Sequence, residues 1–271
     1  MDALLSAVRS GVRVYDLSRP YEIGMPQSPN HPPYWHSLPR RHGDRYRDDG
    51  SSAANDVITL GTHVGTHIDA LAHVSHQGQL HGGVDAATAQ AGGRFSEHGV
   101  ETVAPLLTRG LLLDVPSASG RTACDPGEEI TPDDLDAAVA AQGTTPQPGD
   151  VVLIRSGWGQ RWQQGSGYVG LDSGVPGVAE AGARWLAEAA PTAVGADSIA
   201  FERLEPGKGH ALLPAHRVLL VEHGINILET MALEELAADR VYEFTLIAVP
   251  LPLVGATGSP VRPLAVVSED G

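Results

Sequence analysis

Short runs rich in β-formers recur along this chain, with helical stretches set unevenly between them. "GVRVYDL", "DVITLGTH", "RGLLLDV", "GDVVLIRSG", "PTAVGAD" and "EFTLIAVPLPLV" are the strand signals, most of them bounded by Gly, Pro or Asp. Thr131 can cap a helix over "TPDDLDAAVAAQ", with Pro132 at the first helical position and Asp133 and Asp134 in the first turn. "PGVAEAGARWLAEAA" and "PAHRVLLVEH", the latter ended by Gly224, are the other helical stretches. The interleaving does not repeat as strict βαβ units, so it predicts one α/β domain with mixed sheets over residues 1–271. At 42% hydrophobic content such a chain can bury a core. No Gly-rich phosphate loop of Walker or dinucleotide type follows any strand.

Charge and cysteine content exclude several functions. A formal net charge of −15 argues against nucleic acid and against an anionic membrane surface as partners. Cys124 is the only cysteine, which rules out an intramolecular disulfide and a multi-thiolate zinc site. The N-terminus lacks a leader pattern and no apolar run is long enough to span a bilayer, so a cytoplasmic location is expected. "GMPQSPNHPPYWHSLPRRHG" reads as a long irregular loop, because its prolines cannot join a central sheet or helix interior. Its Tyr34 and Trp35, followed by His36, either anchor the loop or form a lid over a substrate.

The chemistry concentrates in "THVGTHIDALAHVSHQGQLHGG", which holds five of the twelve histidines. Two neutral imidazoles and a carboxylate (His63, His67, Asp69) are a common ligand set for zinc, manganese or iron, and they leave coordination positions open for water and substrate. Gly65 lets the chain turn so that His63 and His67 converge, and the two-residue step from His67 to Asp69 places both on one side of extended backbone. His73, four residues on, is the candidate acid–base group, since an imidazole titrates near neutrality. His76 and His81 read as exposed or supporting, His210 as a loop residue, His223 as a partner of a helix C-terminus, and Asp197 as a supporting acceptor. Trp158 is a candidate aromatic wall for a planar substrate, or core.

"HVGTHIDALAH" resembles the His-x-Gly-Thr-His-x-Asp-x-x-x-His signature of the cyclase family, which includes bacterial kynurenine formamidases, isatin hydrolases and trans-dienelactone hydrolases. "YDLSRPYEIGMPQSPNHPP", "GDVVLIRSGW", "AVGADSIAFE" and "HRVLLVEHGINILETMALEEL" resemble further blocks of it. The resemblance implies that His63, His67 and Asp69 bind metal, that His73 transfers protons, and that His216 and Glu229 complete the site. It also implies a swivelling β/β/α domain and a homodimer in which a neighbouring subunit contributes to the pocket. Leu71 stands where formamidases have Pro, and the His216–Glu229 segment is one residue longer, which sets this chain apart from that subgroup.

These readings predict a hydrolase in which water activated by one or two divalent cations, Zn2+ or Mn2+, cleaves an amide, a cyclic imide or amide, or a lactone of a small planar substrate. Metal-assisted cyclisation or dehydration is the enzymatic alternative, and a metal-binding protein without catalysis is the other. His73 favours an enzyme, because merely holding a metal does not require it.

Overall fold

The computed structural model describes residues 3–269. In chain order its strands are β1 (Val12–Asp16), β2 (Trp35–Arg40), β3 (Asn55–Thr59), β4 (His67–Asp69), β5 (Leu106–Asp114), β6 (Glu129–Ile130), β7 (Val151–Arg155), β8 (Gly177–Val178), β9 (Ala193–Ala196), β10 (Asn226–Glu229), β11 (Glu243–Ala248), β12 (Gly258–Pro260) and β13 (Leu264–Ser268). Nine form one mixed sheet in the order β1-β13-β11-β5-β7-β9-β10-β4-β12. Its centre, β5-β7-β9-β10, is parallel. Both flanks are antiparallel. Central parallel strands are covered on both faces, which is why Leu111–Leu113 and Val151–Ile154 are buried without alternation.

One face of the sheet packs on helices. Leu113, Val152 and Ile154 share a core with Leu135 of the helix Pro132–Gln142 and Leu186 of the helix Glu180–Glu188. The first of these begins as its sequence predicts. Thr131 and Asp134 cap each other's backbone N–H reciprocally, and Gly143 closes the helix in the left-handed region at φ 68°. On the other face, Tyr15, Phe244 and Ala265 from one flank lie in the same core as Ile68, Leu228 and Val261 from the other. The sheet therefore curls over itself. The fold is α/β with mixed sheets, as predicted.

All six predicted strand runs hold strands. The Pro-rich segment, however, is not wholly irregular: Trp35–Arg40 pairs with β3 as a separate two-stranded ribbon. Its register shifts between Ser37 and Arg40, and Pro39 sits within that irregularity, where a missing N–H removes no central ladder bond. The helix predicted over "PAHRVLLVEH" starts as an α-turn (Pro214–His216), widens into a π-helix (Arg217–His223) and ends at left-handed Gly224. Cys124 is buried, and that burial pushes its thiol up to about 12, as suits an inert packing residue. Among the described residues no helix is long and apolar enough to cross a membrane.

Candidate metal centre

Strand pairing builds one side of the site. In the three-residue β4, alternation sends Ile68 into the core and leaves His67 and Asp69 together on the opposite face. β10 runs antiparallel beside it, with Glu229 directly opposite His67 and Ile227 opposite Asp69. Residues paired in this way share a face, so the carboxylate of Glu229 joins the cluster. The turn feeding β4 needs Gly65: its φ is +62°, and a Cβ there would lie 2.7 Å from the ring of Tyr21. The Tyr21 hydroxyl donates to the Thr66 carbonyl, and Thr66 Oγ1 donates to the Thr230 carbonyl while accepting from the Arg19 N–H.

Each imidazole on this side is oriented from behind. His67 Nδ1 lies 2.8 Å from the Gly65 carbonyl, which leaves Nε2 facing Asp69 Oδ1 and Glu229 Oε2, both at 3.4 Å. His216 is held by Glu202, whose Oε1 meets the ring Nδ1 at 2.8 Å and the backbone N–H at 2.7 Å. Its Nε2 therefore faces Glu229 Oε1 at 3.2 Å and Asp69 Oδ2 at 3.5 Å. His67 Nε2, Asp69 Oδ2 and Glu229 Oε1 are buried and have no hydrogen-bond partner. Such atoms are costly to bury unless a cation sits among them. Ligand atoms of His67, Asp69 and Glu229 all lie within 4.8 Å of one another. The donor set fits a divalent metal.

The other side is built by turns. His63 Nδ1 meets Asp69 Oδ1 at 2.6 Å, and its Nε2 meets Thr257 Oγ1 at 2.8 Å. Its ring stacks on that of His73, with centroids 3.8 Å apart and planes inclined by 23°. Gly258 of β12 makes room, since a Cβ there would approach His63 Cε1 to 2.6 Å. His63, Asp69 and His73 form a second group with ligand atoms within 4.8 Å. Asp69 belongs to both groups.

Electrostatics follow the same division. Burial opposes the charge of Asp69, but the adjacent imidazoles of His73, His63 and His216 hold its carboxyl well below the usual range. Burial also disfavours protonated His216 and His67, and here the surrounding carboxylates prevail and raise both. His73 goes the other way: burial, aided by the neighbouring imidazoles, pushes it down to about 3 despite Asp69.

The structure thus gathers His63, His67, Asp69, His73, His216 and Glu229 at one place. His67 groups with Glu229, while both ring nitrogens of His63 are already engaged. Glu202 was missed, although a carboxylate closing the apolar run "SIAF" was a usable signal. Asp197 supports no candidate ligand. It is buried and accepts from Ser156 and Gly157, so it pins the turn before Trp158. Trp158 is itself core, 1% exposed and donating to the Tyr168 carbonyl at 2.7 Å. His76 and His223 are exposed, and His81 pairs with the Val221 carbonyl. Tyr34 packs edge-on against Tyr21, whereas Trp35 is 58% exposed.

Isatin hydrolase from Roseibium aggregatum is 26% identical over 228 residues, spanning 83% of this chain and 79% of that one. A crystal structure described as a novel cyclase superposes with a TM-score of 0.85 at 31% identity, covering 96% of this chain and 91% of its own. A structure described as a potential metal-dependent hydrolase with cyclase activity shares the fold, with a TM-score of 0.62 at 23% identity over 95% of this chain and 100% of its own. The Cyclase family model matches residues 15–203, a span that holds the entire His63–His73 motif, and the chain therefore belongs to the Cyclase family.

Proposed function

We propose that this protein is a metal-dependent hydrolase that opens an amide, cyclic amide or imide, or lactone of a small substrate. The observation that carries the reading is the convergence of three buried, unpartnered atoms, His67 Nε2, Asp69 Oδ2 and Glu229 Oε1, beside His73. Isatin hydrolase among the relatives supports hydrolysis of a small cyclic amide. His67, Asp69, Glu229 and His216 would hold one Zn2+ or Mn2+, and His63 and Asp69 face a second position. Such an ion supplies Lewis acidity toward a carbonyl and makes water acidic enough to ionise near neutral pH.

The chain's own groups do the rest. Gly65 and Glu202 keep the Nε2 atoms of His67 and His216 turned inward as lone-pair donors. No hydrogen bond occupies the ring of His73 among the described residues, so an imidazole nitrogen beside the cluster is free to take a proton from water. It then returns that proton to the leaving nitrogen or oxygen. The test is metal analysis of purified protein, followed by turnover of N-formylaniline, isatin and a lactone with and without added Mn2+ or Zn2+. Metal-dependent opening of at least one is expected. Bound metal with no turnover of any would favour a different reaction.

The working unit in this reading is a homodimer. The β2–β3 ribbon exposes Trp35, Leu38, Val57 and Ile58, and two strands alone have little stability in water. Sedimentation at assay concentration is expected to give a dimer, and a fully active monomer would overturn this part.

A further inference from the structure

We infer that Thr66 is a positioning residue for Glu229, its hydroxyl clamping the left-handed turn that sets the direction of that carboxylate. The inference rests on the reading of the cluster as a metal centre. Thr66 lies inside the histidine motif, directly before His67, and is fully buried. Its hydroxyl points away from the cluster in both of its bonds. It accepts from the Arg19 N–H at 2.8 Å and donates to the Thr230 carbonyl at 2.7 Å.

Thr230 follows Glu229 immediately, where β10 ends. Its φ is +57°, and among the described residues it is the only β-branched one with a positive φ. The left-handed conformation brings Cβ against the backbone, so such a residue adopts it only while its surroundings hold it there. They do so at every backbone polar group of the turn. The N–H groups of Thr230 and Met231 donate to the carbonyls of Ser198 and Ala196, each at 3.0 Å. The Thr230 carbonyl takes the Thr66 hydroxyl, and the Met231 carbonyl accepts from Arg19 Nη2 at 3.2 Å.

Register explains why this bond bears on Glu229. The last ladder pair between β10 and β4 is Glu229 with His67, so the next position would set Thr230 against Thr66. Backbone pairing has stopped there: the Thr66 carbonyl accepts from Val261 and the Thr230 N–H goes to Ser198. The Thr66 hydroxyl supplies the missing rung. An extended Thr230 would instead continue β10 straight on and draw Met231 out of the core it shares with Ile68 and Leu228. Glu229, at the strand's end, would then lose its aim at His67 and His216.

Two double-substitution cycles on the full chain test this, with Mn2+ affinity read by competition with a chelator and melting followed by circular dichroism. Thr66→Val keeps the shape and removes the hydroxyl. It is expected to weaken Mn2+ binding about 10–100-fold, the range for a group that orients a ligand, whereas Thr66→Ser should restore most of the affinity. In a Glu229→Gln background Thr66→Val should cause no further loss, since the carboxylate it aims is already gone. Glycine takes a left-handed φ without penalty, so Thr230→Gly should make the clamp dispensable. Thr66→Val combined with Thr230→Gly should therefore regain Mn2+ affinity and lose less melting temperature than Thr66→Val alone. If Thr66→Val by itself does not fold, recovery of a folded, metal-binding chain by Thr230→Gly supports the inference and failure to recover it overturns it. Unchanged affinity in Thr66→Val also overturns it, as does an equal loss with and without the Glu229 carboxylate. Wild type that binds no Mn2+ would defeat the metal reading, and the melting cycle would still decide whether the Thr66 hydroxyl holds the Thr230 turn.

Discussion

The two sides of the metal centre are made by different means. His67, Asp69 and Glu229 owe their positions to strand register, in a sheet whose neighbouring side chains are fully buried. His63, His73 and His31 owe theirs to turns, and they meet ring against ring. The strand side carries the orphaned atoms that call for a cation. On the turn side both nitrogens of His63 are engaged, and it is the stacked ring of His73 that has hydrogen-bonding capacity to spare. Rigid pairing suits holding an ion, and ring stacking at the surface of the sheet leaves groups free to meet substrate and move protons.

Asp69→Asn should break both sides at once, since each group shares that carboxylate. We expect a folded protein whose metal content falls toward zero, measured by plasma emission spectrometry, with activity lost accordingly. A variant that keeps full occupancy would mean the two sides do not share a ligand. His73→Asn separates them: metal should stay on the strand side while kcat drops about 10²–10⁴-fold, as for loss of an acid–base group. Loss of the ion in that variant would move His73 among the essential ligands.

Glu202→Gln probes how far the strand side depends on support from behind. The carboxylate that fixes His216 is expected to matter by about 10–100-fold in metal affinity, read by competition with a chelator. Unchanged affinity would leave Glu202 a purely structural acceptor. The smallest expected effect is on pH. In metal-free protein His67 and His216 have raised pKa values, so their contribution to stability is complete below about pH 6.5 and is lost as pH rises through those values. His73, depressed to about 3, works in the other window and costs stability as pH falls below about 6.5. Melting of chelator-treated protein should therefore peak near that pH, whereas metal-loaded protein should keep its stability at higher pH. A flat metal-free profile would show that the carboxylates do not govern these rings.

How much of this could be read from the chain follows the same division. Asp69 two residues after His67 announces a shared face, and the Thr131 cap announces a helix, because both are local relations. Opposing Glu229 to His67 is a matter of register between segments about 160 residues apart, and no local signal sets it. The motif alone therefore suggested grouping His67 with His63. The separate ribbon was hidden for another reason: prolines exclude a strand from a central sheet but not from a two-stranded edge.

β4 has three residues and lies between β10 and β12, so its neighbours come from the last quarter of the chain. During synthesis, the histidine motif leaves the ribosome long before either neighbour exists. Until Pro260 has been added, His67 lacks its flanking strand, and until Glu229 has been added the cluster lacks a ligand. Nascent chains and products truncated before β10 therefore carry the full motif without a competent cation trap. Assembly of the cluster is consequently a late event, coupled to pairing β4 with strands about 160 and 190 residues further along the chain, contacts that are slow to form.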